Sequence, residues 1–508
     1  MKSTFFFSVG TFLFVCQVFA FADHDTSRPN FILIMVDDMG YSDIGCYGGE
    51  IKTPNLDQLA NNGLRFTQFY NTSKCHTTRV ELLTGNYAYS IGDNHMEHGA
   101  TFGEVLQSIG YRTLISGKWH QTPLPTTRGF DRYYGLADGC SNFFNPGLKA
   151  RSGEGPPGRK GKTRVRRWVI EDKVIMGYTS PDKKFYHTDA FTSYAIDRLD
   201  EYKGEEKPFI LYLPYTAPHY PLHAWPEDIA KYRGKYKIGW DEIRKQRFNK
   251  MNEMGIIGTN HKLTPRASME WSDLSDEQKD AEDLKMAVYA AMIDRVDQNL
   301  GRLFAKVKEL GEWDNTLIMF LSDNGACSEQ PNTTPNIPPG PVESYRTISV
   351  GWANASNTPY RKFKSTDYEG GIRTPFIAHW PRVIKPGITS QMGHIIDVSA
   401  TFLDITGAKY PKEILGNKTK PPLGKSLLQI FKGNQRQPHN EIYWHFKGAN
   451  ALRQGDLKVI RAGKTWELYN LKSDPTEMKN LAKERPKKTA ELAEMWEKWN
   501  QECKARPK

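Results

Sequence analysis

Cys75-His76-Thr77-Thr78-Arg79 is the stretch whose residue types and spacing best suit a reaction. Residues 77–84 read as two helical turns, stopped by Gly85. Cys75 then stands at the helix N-terminus, where unpaired N–H groups and the dipole attract anions. Arg79 falls one turn further along, on the same side. A thiol, a helix N-terminus and a guanidinium together suit a tetrahedral oxyanion such as sulfate or phosphate. Alone, these residues equally describe a buried free cysteine beside a surface arginine.

Two other pairs, Asp37-Asp38 and Asp323-Asn324, offer hard oxygen donors that suit Ca²⁺ or Mg²⁺ rather than zinc. Either pair alone could simply cap a helix or a turn. The elements around them argue for one shared site. The apolar run 30–36 reads as a strand buried on both faces, and it ends at Asp37-Asp38. Thr53 and Pro54 open a helix. Helix 102–109 leads to strand 111–116, which ends at Gly117-Lys118-Trp119-His120. Helix 186–202 leads to strand 209–213, with His219 beyond it. Helix 277–310 leads to strand 315–321, with Asp323-Asn324 beyond it, and strand 376–380 follows. Strands alternating with helices predict an α/β fold with a large, mostly parallel sheet. Such sheets bind ligands beyond the carboxyl ends of their strands. Four strand ends would deliver Asp37 and Asp38, Lys118 and His120, His219, and Asp323 and Asn324 to one rim.

The 508 residues suffice for a large domain and a smaller one. Residues 1–22 read as a secretory signal peptide: Lys2, an apolar run, then Ala20-Phe21-Ala22. An exported, periplasmic or secreted protein is expected, and no other run is long enough to span a bilayer. Domain boundaries are expected at 23–385 and 386–508, the second a small α+β unit with strands 441–446 and 457–461 and a final helix 485–501. Residues 146–184 and 329–358 read as turn-rich insertions. Beyond Cys16 and Cys75, the remaining cysteines are too scattered for a disulfide scaffold. A formal charge of +11 favours an anionic partner such as a sulfated polymer. Nucleic acid would be the other partner for that charge, but no nucleic-acid motif is found.

With those residues in place, the chain resembles the sulfatases. Cys75 to Arg79 followed by Leu82-Leu83-Thr84-Gly85 is similar to their signature Cys-x-Pro-Ser-Arg and Leu-Leu-Thr-Gly, with Thr77 for Pro or Ala and Thr78 for Ser. Asn30 with Asp37-Asp38, Ser322-Asp323-Asn324-Gly325-Ala326, Gly117-Lys118-Trp119-His120 and Thr216-Ala217-Pro218-His219 resemble further family segments. So does the stretch from Asn357 through Lys364 to Gly371, where Arg361 and Lys362 compete with Lys364 for the family's second lysine. The likeness continues at Leu452 to Lys458 and Glu467 to Glu477. It implies an alkaline-phosphatase-like α/β fold and an arylsulfatase-like hydrolase of sulfate esters on a small molecule or polysaccharide. A formylglycine-generating enzyme would convert Cys75 to Cα-formylglycine. Calcium would be held by Asp37, Asp38, Asp323 and Asn324 and touched by the converted Cys75. Arg79 and Lys118 would hold the nucleophile and ligand shell. His219 and Lys364 would grip sulfate and protonate the leaving alcohol, with His219 as general acid, and His120 would take up a proton. The rival readings are a phosphatase or phosphodiesterase of the same superfamily, or a silent sulfate-binding homologue if Thr77 blocks conversion.

Overall fold

The computed structural model describes Met1 and residues 28–161 and 165–505. The segment expected to be a signal peptide falls, past Met1, outside these residues.

An eleven-stranded sheet carries the first part of the chain. Its strands are β1 (Asn30–Asp37), β2 (Leu64–Tyr70), β3 (Arg112–Lys118), β4 (Arg132–Leu136), β5 (Arg167–Ile170), β6 (Lys173–Met176), β7 (Phe209–Pro218), β8 (Thr316–Ser322), β9 (Arg373–His379), β10 (Gly387–Thr389) and β11 (Gly393–His394). They lie in the order β10-β2-β9-β8-β1-β7-β3-β4-β5-β6, with β11 also beside β2. The run from β8 to β4 is parallel, as expected. The flanks are mixed: β9 runs antiparallel to β8 and β2, and β5 and β6 form an antiparallel hairpin at the far edge.

Every residue of β1 is buried because helices cover both faces of the sheet. Side chains alternate across a strand. Ile32, Ile34 and Val36 therefore join a core with the helices Pro54–Asn61, His187–Glu201 and Asp276–Glu309. Phe31, Leu33 and Met35 join the opposite core, with Cys75–Thr84, Phe102–Ser108 and Asp397–Thr406.

Three expectations are corrected here. The stretch 146–184 is more than a loop, since it supplies β5 and β6. The large sheet passes residue 385, because β10 and β11 pair with β2. The Cys75–Thr84 helix begins before Thr77, and it buries every residue except His76. It lies between the sheet and the Asp397–Thr406 helix, so its outer side is covered too.

The second unit is an antiparallel four-stranded sheet, Glu441–Phe446, Ala449–Gln454, Leu457–Ala462 and Thr465–Asn470. The Pro486–Lys504 helix packs on it through Leu492 and Trp496. Among the described residues the cysteines are free, and no helix is long and apolar enough to cross a membrane.

Candidate active site

The residues expected at one rim do meet there. β1 ends at Asp37, and Asp38 turns out of the strand with φ 69°. β8 ends just before Asp323 and Asn324, and the backbone N–H of Asp38 donates to Asp323 Oδ1 at 3.2 Å. β3 ends on Lys118, whose ammonium donates to Asp37 Oδ2. β7 runs on through Pro218, farther than the sequence suggests, and presents His219. Its Nε2 lies 3.5 Å from Asp38 Oδ2, while Nδ1 bonds to the Tyr220 carbonyl at 2.6 Å. Lys364 donates to Asp38 Oδ1 and is the lysine that reaches the site. Its competitors point elsewhere: Arg361 donates to Tyr469 and the Glu477 carbonyl, and Lys362 borders a separate surface pocket.

Cys75 is the first residue of its helix, so the N–H groups of its first turn have no partner within the helix. Its thiol stands with Asp37 and Asp323, the three ligand atoms within 4.8 Å of one another. Arg79 donates to Asp323 Oδ2 at 2.9 Å and to the Lys118 carbonyl at 3.0 Å. The threonines of the stretch have structural work. Thr77 Oγ1 donates to the Lys74 carbonyl at 2.9 Å, and Thr78 Oγ1 to the Asp323 carbonyl at 2.7 Å. Thr72 Oγ1 lies 2.6 Å from the first hydroxyl and 2.7 Å from the second. A hydroxyl thus stands where the sulfatase signature carries Pro or Ala, without disturbing the turn.

Electrostatics follow from burial and crowding. Burial opposes ionisation of Asp38, yet Lys364 and His219 hold its carboxyl well below the usual range. Burial works against a charged Lys364, and Asp38 overrides it, leaving the amine well above the ordinary lysine value. Burial and the nearby Asp37 lift Asp323 to about 7 despite Arg79. Burial, then Lys118 and Arg79, push His120 well below its normal value, and its Nδ1 has no partner. His219 is lowered to about 3, chiefly by burial, with Asp38 opposing.

The donor set fits a hard divalent cation. Asp37 Oδ1, Asp38 Oδ2 and Asn324 Oδ1 are buried oxygens without a hydrogen-bond partner. Such atoms cost stability unless something pairs with them. They belong to three of the four residues expected to bind metal. Asp323, the fourth, is engaged by Arg79 and the Asp38 N–H.

Sequence reasoning missed several supports. Ser73, two residues before Cys75, donates to buried Asp367 at 2.7 Å. Gln121 donates to the His76 carbonyl at 2.7 Å. At the mouth, Lys74 and Tyr220 both donate to Glu329, each at 2.9 Å. These partners are far apart in the chain, and no local periodicity signals such contacts.

Known proteins share this architecture. The chain matches the sulfatase family model over residues 29–408 and that of the C-terminal region of N-sulphoglucosamine sulphohydrolase over residues 362–505. It is 32% identical over 456 residues to an arylsulfatase of Klebsiella aerogenes, covering 82% of this chain and 94% of that one. It is 28% identical over 559 residues to an N-acetylglucosamine-6-O-sulfatase of Bacteroides thetaiotaomicron, covering 94% and 88%. The crystal structure of Ps i-CgsB in complex with k-i-k-neocarrahexaose superposes with a TM-score of 0.67 at 26% identity, covering 94% and 93%.

Proposed function

The chain belongs to the sulfatase family, and on that footing we propose that it hydrolyses sulfate esters of carbohydrates, using formylglycine made from Cys75 and calcium held by Asp37, Asp38, Asp323 and Asn324. The observation that carries this reading is the set of unpartnered oxygens on Asp37, Asp38 and Asn324 beside a cysteine that opens a helix. A bound calcium ion would polarise a sulfate and favour the ionised form of a nearby hydroxyl. Formylglycine would place an oxygen nucleophile where the Cys75 thiol stands.

The chain's own residues surround that point with charge and proton carriers. Lys118 and Lys364 hold Asp37 and Asp38 in place, and their ammonium groups supply donors to a sulfate between them. Arg79 braces Asp323 against the Cys75 helix. His219 has Nδ1 tied to a carbonyl, which turns Nε2 toward Asp38. Burial keeps that ring neutral in the free protein. The charge of a bound sulfate would favour protonation at Nε2, next to the departing oxygen. His120, neutral with a bare Nδ1, is suited to take up a proton.

A formylglycine-generating enzyme is the maturation partner in this reading, and export by residues 1–22 accompanies it. The mass of the Cys75 peptide after expression beside that enzyme tests conversion; an intact thiol in folded protein would sink it. Metal analysis should find close to one calcium per chain. Saturating calcium at 100 times Kd should add about 2.7 kcal/mol of stability, and Asp323→Ala should remove that gain. Stoichiometric zinc instead would favour the phosphatase alternative.

A further inference from the structure

Beside the catalytic pocket lies a cation without an anion. Arg166 is only 8% exposed, and the partner of its guanidinium is the thiol of Cys140, 3.5 Å from Nη2. Among the described residues no carboxylate comes within 4 Å of it. Neighbouring Arg167 has Asp138, which leaves that carboxylate engaged. A buried guanidinium facing a thiol is costly, because its lost hydration is not replaced by an opposite charge.

Lys160 stands at the same place. Its Nζ lies 3.3 Å from the Tyr220 hydroxyl and 5.5 Å from the ring centroid, again with no carboxylate within 4 Å among the described residues. Both groups border a narrow cavity of about 20 Å³ with Cys140, Ser141, Asn142 and Tyr345. That space admits the tip of a charged group, not a sugar ring.

The cavity adjoins the catalytic residues. The Tyr220 ring is 4.1 Å from the His219 ring. Gly139, next to Cys140, lies so close to His120 that a Cβ there would sit 2.7 Å from Nε2. The two insertions build this wall together. Gly158 N–H donates to the Val342 carbonyl at 2.9 Å, and Thr333 Oγ1 to the Arg159 carbonyl at 2.7 Å.

We propose that Arg166 and Lys160 form a second oxyanion subsite, which takes a further sulfate or a uronate carboxylate of the carbohydrate whose sulfate ester lies at Cys75. Guanidinium and ammonium groups bind such oxyanions by charge-assisted hydrogen bonds. The inference rests on the sulfated-carbohydrate reading and narrows it to substrates with at least two negative groups.

The test measures calorimetric binding to full-length, calcium-loaded Cys75→Ala protein, so no turnover is needed. The probes are D-glucosamine 6-O-sulfate, D-glucosamine 2-N,6-O-disulfate, and a disaccharide with one sulfate and one glucuronate. At least one doubly charged probe should bind about 10–100-fold more tightly than the monosulfate. The disulfate and the glucuronate arms tell which oxyanion is taken. Adding Arg166→Gln, or Lys160→Gln where the first variant melts early, should collapse that ratio toward one. Arg166→Lys should restore part of it. Equal affinities for all three probes would overturn the subsite, and so would a ratio that survives both substitutions. Turnover of 4-nitrophenyl sulfate by the unsubstituted enzyme separately reports the sulfatase reading.

Discussion

Arg79 Nη2 lies 2.9 Å from Asp323 Oδ2, and neither side chain is exposed to solvent. This contact ties the helix that opens with Cys75 to the end of β8. Arg79→Ala leaves Asp323 buried among carboxylates and should cost roughly 3–5 kcal/mol in calcium-free protein. The loss should shrink when calcium is present, because the ion would compensate Asp323. Denaturant melts with calcium and with a chelator measure both values. An identical loss in the two conditions would argue against Asp323 as a ligand.

His219 makes its case through the leaving group. A general acid typically contributes about 10²–10⁴-fold, and it matters most when the departing oxygen is strongly basic. His219→Ala should therefore lose far more kcat/KM on a sulfated sugar than on nitrophenyl sulfate. Were both rates to fall alike, the ring would be gripping the sulfate they share, and the acid role would pass to Lys364.

Lys458 ties the small sheet to the large one through two ion pairs. Its buried ammonium donates to Glu369 at 2.7 Å and to Glu477 at 2.8 Å. Glu369 belongs to the segment that carries Lys364, so the small domain braces that lysine from behind. Lys458→Met should destabilise the protein by roughly 3–5 kcal/mol, since buried Glu477 loses its counter-ion and Glu369 keeps only Arg373, 3.0 Å away. Sulfatase activity should drop with it. A variant with unaltered melting and activity would show that the pair of glutamates tolerates the loss.

Acid stability depends in part on His223. Burial lowers its pKa to about 4, although its hydrogen bond to the Ser344 carbonyl at 2.9 Å works the other way. Nδ1 accepts the Phe143 N–H at 3.3 Å, so protonation breaks a bond as well as burying a charge. The folded value lies below the usual 6.5 or so of a free imidazole. The stabilisation is therefore complete above pH 6.5 and is lost as pH falls toward 4, by up to about 3 kcal/mol. Unfolding free energies at pH 7 and pH 4.5 should differ more in the wild type than in His223→Gln. Parallel pH slopes would exclude the histidine as a source.

The chemistry that follows the strands was legible in the sequence, although β7 continues to Pro218, past the expected end at 213. β1 is legible because six successive apolar residues, Phe31 to Val36, suit a strand covered on both faces, and the polar residues after β1, β3, β7 and β8 mark where those strands leave the core. The Cys75 helix was legible from Gly85, its left-handed stop at φ 70°. Tertiary structure alone decided the rest. The antiparallel course of β9 and the hairpin of β5 and β6 depend on pairings between distant segments, which short windows do not encode. Lys364 was separated from Arg361 and Lys362 only by where each side chain reaches. Arg166 could not be singled out among basic residues, because what distinguishes it is the lack of a carboxylate within 4 Å among the described residues, a feature of three dimensions. Local sequence fixes periodicity and stops; burial without a partner is a property of the packed chain.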